Sequence, residues 1–217
     1  EDPNNINTNF LFGSLLLQKK EFDKARELFL KVISLNPKNP DSYNNLGIAM
    51  KELGQKSKAL ICFQKAIELK PDHNMAYNNQ GIVLKELGEY SKAQNSYEKA
   101  IQIDTSNADA YNNLGIIFTE YGEFEKSTEC FQKAIKIKPN FLKTYSNLLF
   151  NYCWLSGGSK YLDLAKKYYD LIPNYNENHD FKRKISTEKN LKIGFISGDF
   201  KDHPVAYFLL DTLKNLK

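Results

Sequence analysis

From residue 6 onward, apolar and small residues recur at intervals of three and four positions, interrupted at regular places by glycine and polar residues. That spacing lines one side of a helix at every turn, so the pattern predicts a succession of amphipathic helices. The pattern also repeats with a period of 34 residues. At this offset Gly13, Gly47, Gly81 and Gly115 fall in one column, Gly54, Gly88 and Gly122 in a second, and Pro37, Pro71, Thr105, Pro139 and Pro173 in a third. Ala25, Ala59, Ala93 and Ser127 form a small-residue column, followed four positions on by Phe29, Phe63, Tyr97 and Phe131, and then by Val32, Ala66, Ala100 and Ala134.

Each period therefore reads as two helices separated by the glycine at its centre. Small residues at the crossing let the helices approach, and the aromatic one turn later fills the gap on the same face. Pro71 and Pro139 are placed to stop the second helix, because the residue before proline disfavours helical geometry. A single pair cannot bury its own apolar face, so neighbours must stack and share a core. Four full units are predicted, at about 6–39, 40–73, 74–107 and 108–141, forming one domain over 6–141. A fifth begins in register at Tyr145, Asn147 and Leu148, but its turn is SGGSK and its second helix, YLDLAKKYYDLI, leaves the small-residue columns. Residues 142–173 are therefore expected to be a degenerate closing unit that covers the last exposed face.

These columns, and strings such as YNNLGIAMKELGQKSKALICFQKAIELKPD, resemble the tetratricopeptide repeat. The resemblance implies a mainly α fold, a right-handed superhelical array of helix pairs, whose first helices line a concave face that binds polypeptide. Along that predicted face, spacing i, i+4, i+7, i+11 selects Asp41, Asn45, Ile48 and Glu52, then Met75, Asn79, Ile82 and Glu86, then Asp109, Asn113, Ile116 and Glu120, and finally Lys143, Asn147 and Phe150. One position is thus asparagine in four successive units: Asn45, Asn79, Asn113 and Asn147. An amide both donates and accepts, so such a column can pair with the N–H and C=O groups of an extended guest chain whatever its side chains. Equally, asparagines can cap or bridge helices within the repeat, a role that suits the adjacent Asn44, Asn78 and Asn112.

Beyond the repeats the composition shifts. Residues 174–190 are polar and rich in turn formers, as a linker is. From 191 to 217 the pattern changes class: LKIGFI reads as a strand, SGDFKDHP as a loop, and VAYFLLDTLKNL as a helix. This is the opening of an α/β domain, whose ligands bind beyond the carboxyl ends of strands. The segment LKIGFISGDFKDHPVAYFL resembles the start of the catalytic region of protein O-GlcNAc transferases, enzymes in which it follows a tetratricopeptide array. The resemblance implies an incomplete Rossmann-like domain of GT-B type, a nucleotide sugar (UDP-GlcNAc) as donor, and Ser/Thr of a groove-bound protein as acceptor. His203 maps onto the family's active-site histidine, either accepting a hydroxyl proton or hydrogen-bonding a pyrophosphate oxygen. Asp199 shares the motif, as a site residue or as a holder of the loop backbone. A Spindly-type O-fucosyltransferase has the same architecture with another donor, and a non-catalytic scaffold is the alternative from a different class. The second lobe of such an enzyme is missing from this sequence, so the chain alone is expected not to turn over.

Composition narrows the partners. The 217 residues are 41% hydrophobic and 26% charged, with 30 basic and 26 acidic residues interspersed. No basic block tracks a phosphate backbone, which argues against nucleic acid as the partner. No apolar run is long enough for a bilayer and no signal sequence opens the chain, so a soluble, cytoplasmic protein is expected. Cys62, Cys130 and Cys153 form no metal-binding pattern, and Cys62 and Cys130, two periods apart, occupy equivalent places beyond disulfide reach; reduced, structural thiols are expected and no metal.

Overall fold

The computed structural model describes residues 5–155 and 158–171. The linker expected at 174–190 and the strand, loop and helix expected at 191–217, with Asp199 and His203, lie outside the described residues. Among the described residues there are ten helices and no strand. The first compact unit, which ends at Phe141, holds α1 (Ile6–Gln18), α2 (Phe22–Leu35), α3 (Pro40–Glu52), α4 (Lys56–Leu69), α5 (Asn74–Glu86), α6 (Tyr90–Ile103), α7 (Ala108–Glu120) and α8 (Phe124–Ile137). A second unit starts at Leu142 and holds α9 (Leu142–Trp154) and α10 (Gly158–Leu171). None of these helices is long and apolar enough to cross a membrane.

The helix boundaries follow from local chemistry. Asn5, Asn39 and Asn107 precede α1, α3 and α7, and each side chain accepts from the backbone N–H three residues on, at Thr8, Ser42 and Ala110. This satisfies one of the amide groups that a helix start leaves without a partner. His73 holds the same position before α5 and makes no such cap. At the other end of the first helices Gly54, Gly88 and Gly122 take φ of 74°, 78° and 74°, the left-handed turn that glycine adopts without penalty. A backbone bond then closes each end, from Gln55 to Met50, Glu89 to Leu84 and Glu123 to Phe118. In the first repeat the same place is taken by Lys20, at φ 61°.

The second helices stop where expected, but proline is not the sole cause. Lys70 and Lys138, before Pro71 and Pro139, leave the helix at φ −141° and −127°. Asp104, before Thr105, does the same at φ −136°. There the Asp104 carboxylate accepts from the Ser106 backbone at 2.9 Å and from its hydroxyl at 2.6 Å, so an Asx turn performs the stop.

Within each repeat the aromatic column lies against the first glycine column. A Cβ placed on Gly47 would lie 2.5 Å from Cε1 of Phe63, and one on Gly81 2.6 Å from Cε1 of Tyr97; Gly115 meets Phe131 at 2.5 Å and Gly13 meets Phe29 at 3.0 Å. Mid-helix glycine costs roughly 1 kcal/mol against alanine; here it is the residue that admits the ring. The core is shared between neighbouring repeats in distinct clusters. One cluster runs from Leu16 through Phe29, Leu46, Met50 and Phe63 to Val83, and a second from Ala93 through Tyr97, Leu114 and Ile117 to Cys130. Cys62 and Cys130 lie in these clusters as buried free thiols, with burial raising each pKa to about 11, which leaves them unreactive. In the second unit Tyr145 stacks on Tyr168, with ring centroids 6.3 Å apart, and Phe150 meets Trp154 edge-on at 6.2 Å.

Candidate polypeptide-binding site

Asn45, Asn79 and Asn113 fall at one register of α3, α5 and α7, each five residues past the start of its helix. Their amides are turned partly toward the array itself. Asn79 Nδ2 donates to Asn44 Oδ1 at 2.9 Å, and Asn113 Nδ2 donates to Asn78 Oδ1 at 3.0 Å, each bond tying one repeat to the repeat before it. Asn44 Nδ2 in turn donates to Asn45 Oδ1 at 3.2 Å, Asn45 Nδ2 to Ser14 Oγ at 3.4 Å, and Ser14 Oγ to the Phe10 carbonyl at 2.9 Å. A hydrogen-bond relay thus crosses three repeats. The two asparagine columns that sequence reasoning separated, one for a guest and one for the fold, are thus bonded to each other, in one relay through Asn79, Asn44 and Asn45 and in a second through Asn113 and Asn78. Ser14 was not legible as a member, since it replaces the isoleucine of the later repeats.

An amide carries two N–H groups and an oxygen with two lone pairs. After the bonds above, one N–H remains on each of Asn45, Asn79 and Asn113, and oxygen capacity remains as well. Asn45 and Asn79 are half-buried, whereas Asn113 is only 8% exposed. Asn147 is half-buried in α9. Beside the column, Ile48 and Ile82 pack partly against the core and keep part of their surface outside. Met75 is exposed.

The acidic residues of this face are largely held by neighbours. Glu52 pairs with Lys51 at 2.6 Å and Glu86 with Lys56 at 3.1 Å. Asp41 Oδ1 lies 3.2 Å from Nε2 of His73, a buried imidazole whose burial pushes its pKa down while Asp41 opposes the shift. Neutral histidine is therefore the form that this seam accommodates. On another side, a groove of about 740 Å³ opens between α4 and α6, lined by Tyr43, Leu60, Ile61, Leu84 and Lys92 among others. Ile61 there is exposed, a feature that no column of the repeat announces.

Comparison with known proteins agrees with this architecture. Residues 13–54 and 81–120 match the family described as TPR repeat, and residues 40–73, 108–141 and 62–95 match two described as Tetratricopeptide repeat. Among solved structures, the chain is similar to the MamA protein, with 26% identity, a TM-score of 0.63, and coverage of 76% of this chain and 91% of that one. It is similar in fold to PilF of Pseudomonas aeruginosa, at 20% identity and a TM-score of 0.68 over 76% of this chain and 74% of that one. It is also similar in fold to YrrB, described as a TPR protein with an unusual peptide-binding site, at 18% identity and a TM-score of 0.59 over 80% and 90% of the two chains. No curated protein matches the sequence. Matches that together span residues 13–141, on an array of helix pairs with the glycine and aromatic columns in register, place the chain in the tetratricopeptide-repeat family.

Proposed function

We propose that the first four repeats hold an extended polypeptide along their first helices. The observation that carries this reading is the constant register of Asn45 and Asn79, both half-buried and each with an amide N–H left after its bond to the preceding repeat. Bonds from such a column to a guest backbone are tolerant of guest sequence, while Ile48, Ile82 and Met75 offer apolar contact to its side chains. The relay that fixes the amides also pre-organises them, which lowers the ordering cost of binding. The test uses a peptide selected on the protein from a random 12-residue library and a fluorescence anisotropy titration. Replacing Asn45 and Asn79 together by alanine is expected to weaken binding by about tenfold or more at a temperature where circular dichroism shows the array folded. Replacing Ile61 by glutamate is expected to leave it unchanged. The opposite pattern would move the site to the groove between α4 and α6.

A second reading, in which the array presents substrates to a nucleotide-sugar-dependent protein glycosyltransferase, is supported by the segment LKIGFISGDFKDHPVAYFL alone. On this reading UDP-GlcNAc is the donor, His203 serves the reacting hydroxyl or the pyrophosphate, and Asp199 shapes the loop. The test is sugar transfer from labelled UDP-GlcNAc to an array-bound peptide by the full-length polypeptide, with loss of transfer expected for His203→Ala. Transfer that survives the substitution would remove His203 from the mechanism. Neither transfer nor donor binding would leave a binding scaffold as the function.

A further inference from the structure

The relay across the first three repeats has a direction, and one residue sets it. Asn79 Nδ2 donates to Asn44 Oδ1, Asn44 Nδ2 to Asn45 Oδ1 and Asn45 Nδ2 to Ser14 Oγ, and the Ser14 hydroxyl donates to the Phe10 carbonyl. An amide can turn over and exchange its oxygen for its nitrogen, so nothing within Asn44, Asn45 and Asn79 selects one sense. Run the other way, the three amides would keep their mutual bonds and Asn45 Oδ1 would accept from Ser14. The hydroxyl has a single hydrogen, so it would then leave the Phe10 carbonyl, an atom that only accepts. The observed sense therefore has one hydrogen bond more than its reverse.

At the register of Ser14 the later repeats of the first unit have Ile48, Ile82 and Ile116, so the sense is set once, from the first repeat. Its consequence falls at the other end of the relay. Asn79 is half-buried and holds one N–H on Asn44, while its Oδ1 accepts no bond among the described residues. Turned over, Asn79 would set its oxygen against Asn44 Oδ1, two acceptors with no hydrogen between them. Asn45, by contrast, has Oδ1 engaged by Asn44 and Nδ2 by Ser14. The two amides are thus unlike: Asn79 offers a whole oxygen, and Asn45 chiefly its remaining N–H.

We infer that Ser14 is a positioning residue for guest binding: acting through Asn45 and Asn44, its hydroxyl holds Asn79 Oδ1 ready to accept one backbone N–H of the guest. This rests on the polypeptide-binding reading proposed above. It adds that the face discriminates among the guest's polar groups at Asn79, in the third repeat, and that the residue responsible lies in the first.

The test uses the full chain, the library-selected peptide and a set of analogues, each methylated at one backbone nitrogen, in anisotropy titrations of wild type, Ser14→Ala and Ser14→Thr. In wild type one analogue is expected to bind about tenfold more weakly than the parent peptide, and to lose this penalty with Asn79→Ala. With Ser14→Ala the same penalty is expected to shrink to about threefold or less, while those at other positions keep their size. Ser14→Thr, whose hydroxyl can bond the same carbonyl four residues back, is expected to restore it. A merely structural role for Ser14 would weaken every peptide in proportion and leave the penalty as it was, and that result would overturn the inference. So would the absence of any penalty that depends on Asn79, or one that Ser14→Thr fails to restore. The double variant Asn45→Ala, Asn79→Ala is titrated alongside. Unchanged binding of the parent peptide would sink the binding reading and the inference with it, whereas weakened binding with a penalty indifferent to Ser14 sinks the inference alone. If Ser14→Ala loses helicity by circular dichroism, Ser14→Ile, which installs the residue of the later repeats, serves in its place and must shrink the penalty.

Discussion

Asn79 of the third repeat donates its side-chain amide to Asn44 of the second at 2.9 Å, and Asn44, itself 3% exposed, passes a bond on to Asn45. A residue whose register suggests a guest-binding role is therefore also a fastening between repeats. Asn79→Ala would leave the Asn44 oxygen buried without this donor, at a cost of about 1–2 kcal/mol. Urea unfolding is expected to show that loss as a lower midpoint with little change of slope. An unaltered midpoint would mean that the bond contributes nothing to the seam.

The glycine columns act through two different mechanisms, which substitution separates. Gly47→Ala forces a Cβ against the Phe63 ring at 2.5 Å and is expected to cost about 1–3 kcal/mol, much of it recovered when Phe63 is also made leucine. Gly54 has open space around it but φ of 74°, so Gly54→Ala is expected to cost about 1 kcal/mol with no recovery from Phe63→Leu. Lys20, at φ 61° in the corresponding turn, is the converse case, and Lys20→Gly is expected to raise stability by up to about 1 kcal/mol. Thermal unfolding of Gly47→Ala, Gly54→Ala, Phe63→Leu and Lys20→Gly, and of the two glycine variants each combined with Phe63→Leu, checks all three.

His73 stands where the other repeats of the first unit have a capping asparagine. Its folded pKa is depressed below 6.5, so between that value and 6.5 the unfolded chain binds the more protons. The stabilisation from keeping His73 neutral is present above pH 6.5 and is lost as pH falls below it. His73→Asn is expected to add a cap worth about 1 kcal/mol and to flatten this part of the stability profile. Denaturation midpoints at several pH values between about 5 and 8 read both effects, since this window brackets the usual histidine range.

Tyr97 and Ser42 each bury a hydroxyl without a hydrogen-bond partner, at positions where sister repeats have Phe63 or Phe131 and Ala76 or Ala110. An unsatisfied buried polar group costs about 1–3 kcal/mol. Tyr97→Phe and Ser42→Ala are each expected to raise the unfolding midpoint, and a fall in either would reveal a partner for the hydroxyl.

The architecture is legible in the sequence because the forces that build it act on single residue types at fixed spacing. Left-handed turns select Gly54, Gly88 and Gly122, and close helix crossings select Gly47, Gly81 and Gly115. The candidate site is legible only in part. Position alone marks Asn45, Asn79 and Asn113, but amide orientation depends on Asn44, Asn78 and Ser14, which are the adjacent residue of the same helix or come from the preceding repeat. The stop after α6 misleads in another way: the proline column is broken by Thr105, and the Asp104 carboxylate with Ser106 does the same work through a side chain. Exposure of Leu15 is invisible in the pattern, because its register reads as core in every later repeat.

The proposed polypeptide-binding role rests on amides that keep one N–H for the fold and one for a guest. Two-dimensional nitrogen–proton spectra of the side-chain amides, recorded with and without a library-selected peptide, address it directly. The account predicts that the Nδ2 resonances of Asn45 and Asn79 shift and gain protection on binding, while those of Asn5 and Asn107, which serve as helix caps, do not move. Saturated binding with Asn45 and Asn79 unmoved, and shifts confined to residues such as Gln64 and Asn95 of the groove between α4 and α6, would contradict it.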